Sequence, residues 1–206
     1  MTRIKICGIT TLEDADAAVA AGADALGFIL FEKSPRYTSP ERVQDIVARL
    51  PPFVTTVGVF VNKPAEQVNA VAQNCGLHAV QLHGDETAPF CEQIEGTVIK
   101  VFRVKDAKWR EAAAPYRVHA VLLDAYEPDR YGGTGKKFDW NLISHSHHRL
   151  ILSGGLNPQN VQEAIRHARP YGVDTSSGVE VEPGRKDHSK IKDFVDAVKQ
   201  VNLIKQ

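Results

Sequence analysis

The chain has 206 residues, 43% hydrophobic and 24% charged, enough apolar side chain for one soluble unit with a substantial core and too much for a disordered segment. Lys and Arg together number 25, as do Asp and Glu, so no net charge draws the chain to nucleic acid or to an anionic membrane, and any anion must be held by a local site. The three cysteines, Cys7, Cys75 and Cys91, lack C-x-x-C spacing, which argues against a disulfide framework and a thiol zinc site and favours a reducing compartment.

Short β-rich runs alternate with helical patterns from one end to the other. "RIKIC" precedes "TTLEDADAAVAAG", where Thr10 and Glu13 have capping-box spacing and Gly22 is a helix stop. "ALGFIL" precedes "SPERVQDIVARL", with Ser39 as N-cap and Pro40 at the first helical position. "TTVGVFV", "AVQLHG" and "VIKVFRV" each lead into a helical pattern opened by Pro or Asp. "AVLLDAY" is followed by the glycine-rich "EPDRYGGTGKK" and a short helical "FDWNLI". "RLILSGG" and "GVDTSSG" precede the last two helices.

About eight βα units result, at about 26 residues each, near the lower size limit of a (β/α)8 TIM barrel. The strands are continuous apolar runs, as in a parallel sheet covered on both faces. The expectation is a single TIM-barrel domain over residues 1–206. An open doubly wound sheet is the rival, but its dinucleotide version calls for G-x-G-x-x-G after the first strand, and that turn reads "CGITTLED". No run approaches the roughly 18 apolar residues of a membrane span, and the N-terminus lacks a signal-peptide pattern. A cytoplasmic, monomeric protein without a membrane or nucleic-acid partner is expected.

A barrel turns every strand's C-terminal end toward one mouth, so strand ends are where chemistry should gather. They carry Cys7, Gln81, His83, Arg103 and Asp124. A cysteine at a strand tip just before a helix is placed where its pKa can fall toward neutrality. A carboxyl such as Asp124 in a closed mouth is expected to have its pKa raised and to serve as a general acid. "SGGL" and "TSSG" end the seventh and eighth strands, where backbone N–H groups of Gly154, Gly155, Ser176, Ser177 and Gly178 can hold a phosphate. "GGTGK" fails the Walker A test and reads as an active-site cover. The cluster His145, His147 and His148 reads as a solvated turn, and no His, Asp or Glu set has metal-ligand spacing, so no metal is expected.

In order along the chain, "KICGIT", "GFIL…SPRYT", "VGVFVN", "VQLHG", "LLDA…GGTG…FDW", "LSGGLNP" and "DTSSGVE…PGRKD" closely resemble the phosphoribosylanthranilate isomerase family of tryptophan biosynthesis. The resemblance covers essentially the whole chain. It implies a TIM-barrel isomerase performing an Amadori rearrangement of a phosphorylated substrate without a cofactor. It also implies Cys7 as general base, Asp124 as general acid, Arg36 of "SPRYT" as the contact to the anthranilate carboxylate, and Gln81 and His83 as substrate-binding groups. The alternatives are a ribulose-phosphate epimerase, which would need metal ligands at several strand ends, and a non-catalytic phosphosugar-binding barrel.

Overall fold

The computed structural model describes residues 1–125, 139–143 and 146–204; "GGTGK" and His145 lie outside them. Eight strands, β1 (Arg3–Cys7), β2 (Ala25–Ile29), β3 (Thr55–Phe60), β4 (Ala79–Leu82), β5 (Thr97–Val104), β6 (Ala120–Ala125), β7 (Leu150–Leu152) and β8 (Gly172–Thr175), close into a barrel in sequence order. Every neighbouring pair is parallel, and β8 returns to β1 with Ile6 opposite Thr175. The barrel is therefore the expected one, and the open sheet is excluded.

Among the described residues the helices are α1 (Leu12–Ala21), α2 (Pro40–Val47), α3 (Ala65–Asn74), α4 (Ala88–Cys91), α5 (Trp109–Ala113), α6 (Val161–Ala168) and α7 (His188–Ile204). Ser39 caps α2 by accepting from the Arg42 N–H, with Pro40 in its first turn, and Gly22 ends α1 at φ 102°. The cap of α1 differs from expectation: Thr11, not Thr10, accepts the Asp14 N–H, because the Thr10 hydroxyl donates to the Gly184 carbonyl. Among its described residues, "FDWNLI" supplies a 3-10 turn at Trp140–Leu142.

Alternation along each strand sorts side chains into two layers. Ile4, Ile6, Leu26, Phe28, Val80 and Leu82 face the helices in the main core. Val57, Ala79, Ile99, Val101, Ala120, Leu122 and Ile151 form a separate small cluster inside the barrel. At the N-terminal end the barrel opens into a cavity of about 600 Å³, with Phe53, 97% exposed, at its rim. Sequence patterning missed one element: β9 (Glu180–Glu182) and β10 (Arg185–Lys186) pair as an antiparallel hairpin just beyond β8. No helix among the described residues is long and apolar enough to cross a membrane.

Candidate active site

Cys7 ends β1 on the inward side, two residues after Lys5, and is 5% exposed. Gly8 turns the chain away at φ 74°, and the Gly8 and Ile9 N–H groups both donate to the Gly27 carbonyl, tying the tip of β1 to β2. Gly27 makes the room the thiol occupies: a Cβ there would lie 2.7 Å from Cys7 Sγ and 3.0 Å from Lys5 Nζ. Burial pushes the Cys7 thiol above its ordinary pKa, with Lys5 and Lys186 pulling it down and Asp174 pushing it further up. This corrects the sequence expectation of a lowered thiol pKa. Helix α1 begins only at Leu12, too far along the chain for its dipole to outweigh desolvation.

Across the barrel, Asp124 lies on β6, 5% exposed. Its Oδ1 accepts the Ala125 N–H at 2.8 Å, and its Oδ2 stands 3.3 Å from His83 Nε2. Gln81 Nε2 lies 3.3 Å from His83 Nδ1, and His83 Nε2 is buried without a hydrogen-bond partner among the described residues. Gln81 Oε1 is buried with no hydrogen-bond partner among the described residues, which leaves a ready acceptor on the inward side of β4.

Two loops without bulky side chains rise beside these groups. Gly154 and Gly155 follow β7 at φ 83° and 64°, and a Cβ on Gly154 would lie 2.7 Å from Ala125 N and 3.2 Å from Asp124 Oδ1, so only glycine fits. After β8, Ser176 leads into a 3-10 turn at Ser177–Val179, in which a Cβ on Gly178 would collide with the Leu156 carbonyl. Asn160 Nδ2 donates to the Gly155 carbonyl at 2.9 Å, and Thr175 Oγ1 to the Leu156 carbonyl at 2.7 Å, bracing one loop against the other.

Arg36, in the segment between β2 and α2, is 7% exposed. Its Nε donates to Glu180 Oε1 at 2.9 Å and its Nη2 to Glu180 Oε2 at 2.7 Å, while Nη1 has no hydrogen-bond partner among the described residues. Glu180 also takes Lys186 Nζ at 2.8 Å, and that ammonium donates to the Cys7 carbonyl at 2.6 Å. Glu180 and Lys186 were not foreseen as site residues, although Pro183-Gly184 between alternating residues is a hairpin signal. Arg103 faces Asp85 at 2.8 Å near the surface. His148 Nε2 lies 2.9 Å from the Tyr116 carbonyl, and among the described residues no group of three or more His, Cys, Asp or Glu is placed to hold a metal.

A closed parallel barrel with an inward thiol, an inward carboxyl and two glycine-serine loops at one rim has the build of a (β/α)8 enzyme. The family model of N-(5'-phosphoribosyl)anthranilate isomerase matches residues 4–197, and the chain belongs to that family. It is 52% identical to the N-(5'-phosphoribosyl)anthranilate isomerase of Citrifermentans bemidjiense over 99% of this chain and 100% of that one. Identity to the Trichlorobacter lovleyi enzyme is 53%, over 97% and 99%. The crystal structure of the Thermotoga maritima isomerase superposes with a TM-score of 0.91 at 48% identity, covering 97% of this chain and 100% of that chain. A related structure, at 45% identity and TM-score 0.85 over the same shares, holds reduced 1-(o-carboxyphenylamino)-1-deoxyribulose 5-phosphate. The chain is thus an isomerase of tryptophan biosynthesis, which sets aside the epimerase and the non-catalytic barrel.

Proposed function

We propose that Cys7 as base and Asp124 as acid carry the Amadori rearrangement of N-(5'-phosphoribosyl)anthranilate in this chain. Asp124 gives its proton to the furanose ring oxygen as the C1–O bond breaks, leaving an imine between C1 and the anthranilate nitrogen. The Cys7 thiolate takes the C2 proton, and the C2–H electrons pass through C1 to the nitrogen to form an enolamine. Protonation at C1 with loss of the C2 hydroxyl proton gives the ketone. The observation that carries this reading is that Cys7 and Asp124 lie on inward-facing ends of β1 and β6 in one closed barrel, beside loops of glycine and serine.

Gly154, Gly155, Ser176, Ser177 and Gly178 hold the phosphate through backbone N–H groups and hydroxyls. Arg36 offers its uncommitted Nη1 edge to the anthranilate carboxylate. Gln81 Oε1 accepts a sugar hydroxyl, and His83 stands beside the acid with Nε2 3.3 Å from Asp124 Oδ2. One chain is the working unit, since all of these groups come from it, and the free, buried cysteines suit a cytoplasmic location. The test is turnover: the purified chain should consume phosphoribosylanthranilate, seen as loss of its fluorescence, with a bell-shaped pH dependence belonging to the thiol–carboxyl pair. A pH profile with no limb from a thiol or carboxyl would remove the acid–base pair from the reaction.

A further inference from the structure

Two buried ammoniums, those of Lys5 and Lys186, stand close to Cys7. Lys5, also on β1, has its ammonium 2.7 Å from Asp174 Oδ1 on β8 and closes on the same point above Gly27 as the Cys7 sulfur. Lys186 on β10 has a side chain 0% exposed; its Nζ contacts the Cys7 carbonyl at 2.6 Å, Glu180 Oε1 at 2.8 Å and Ser176 Oγ at 3.4 Å. Arg36 takes the same Glu180 in a two-pronged contact. The charged ends of Lys5, Lys186 and Arg36 thus contact two carboxylates, Asp174 and Glu180, with the buried Asp14 a third acid nearby. The other acids nearby are committed elsewhere. Asp14 on α1 accepts the Lys186 backbone N–H at 3.2 Å and faces His188 Nε2 at 2.8 Å, and Asp124 with His83 belongs to the β4–β6 side of the mouth.

A lysine wholly out of water is costly unless matched by anions, and Lys186 has only a half share of one carboxylate. Ionising Cys7 adds an anion where both ammoniums can use it, because the thiolate would stand beside Lys5 while Lys186 already holds the Cys7 carbonyl. We propose that the buried ammoniums of Lys5 and Lys186 offset the burial that opposes ionisation of Cys7 and so make its thiolate available during turnover, and that Lys186 is the positioning residue that brings the second of these charges. The hairpin that delivers Lys186 is thereby part of the base's environment. The proposal rests on the reading of Cys7 as base. Burial pulls Lys186 below its ordinary range while Glu180 and Cys7 pull it up, and for Lys5 Asp174 and Cys7 outweigh burial and hold it charged.

The experiment is site-resolved alkylation of Cys7 by iodoacetamide, read by peptide mass spectrometry from about pH 6 to about pH 11, a range that brackets the ordinary thiol value near 8.5. Lys186→Gln keeps a donor for the Cys7 carbonyl and removes the charge. It should move the midpoint up by about one unit, slowing alkylation about tenfold below the midpoint, and leave the alkaline plateau unchanged. Lys186→Arg should keep the parent midpoint. Asp174→Asn removes a buried anion beside Lys5 and should move the midpoint down, which also provides the test should Lys186→Gln not fold. A general loosening of the structure would alter the plateau or move both variants the same way. An unmoved midpoint in Lys186→Gln, or an unmoved or raised one in Asp174→Asn, overturns the proposal. Alkylation reads the thiol without turnover, so either result stands apart from the separate question of whether Cys7→Ser abolishes catalysis.

Discussion

Arg36 reaches the mouth with its guanidinium half committed. Glu180 takes the Nε and Nη2 edge, which fixes the plane of the group and leaves Nη1 for the proposed carboxylate contact. Glu180 is itself held below the ordinary carboxylate range: burial opposes its ionisation, but hydrogen bonding from Arg36 and the Lys186 charge prevail. Arg36→Met should weaken substrate binding by about 1.5 to 3 kcal/mol, the scale of a lost charge-assisted hydrogen bond. It should weaken an analogue lacking the carboxylate far less. Equal losses for the two ligands would place Arg36 outside carboxylate recognition and leave it a brace for the β9–β10 hairpin.

At the scale of elements, the proposed phosphate site draws on loops after β7 and β8 in which glycines and small serines leave room for an anion. Gly155→Asp at φ 64° should place a carboxylate in the proposed phosphate site and raise KM steeply with the barrel intact by circular dichroism. Unchanged affinity for the phosphorylated substrate would move the phosphate elsewhere. The eight strands, the Ser39-Pro40 start and the Gly22 stop were legible because each is a local pattern of apolar runs, caps and breakers. The placement of Cys7 and Asp124 at one rim followed once the alternation implied a barrel. Contacts made across the chain were not legible. Glu180 meets Arg36 from 144 residues away, and Thr10 gives up its cap to the Gly184 carbonyl 174 residues on. The raised Cys7 pKa was hidden for the same reason, since the burial that causes it is a property of the closed mouth and not of the "KICG" stretch.

For the molecule as a whole, burial raises the pKa of Cys7, Cys75, Cys91 and Tyr116 in the folded state, Cys91 to about 11. The unfolded chain releases these protons first, so between the ordinary thiol value near 8.5 and about 11 it binds fewer protons, and stability falls as pH rises. Below that window the contribution is fully present. The urea midpoint should drop between about pH 8 and about pH 10.5, and Cys91→Ala should flatten that slope whatever its effect at neutral pH; an unaltered slope would assign the alkaline loss to other groups. The same barrel that buries these groups also brings a thiol and a carboxyl from opposite strands to one mouth, and the proposed chemistry needs both. Steady-state turnover of phosphoribosylanthranilate by Cys7→Ser and Asp124→Asn tests it most directly. Each variant should lose at least about 10²-fold in kcat with KM largely kept, because serine is too weak an acid to supply the base and asparagine has no carboxyl proton to give; a kcat within a few-fold of the parent for Cys7→Ser would return Cys7 to being a small buried residue and contradict the mechanism.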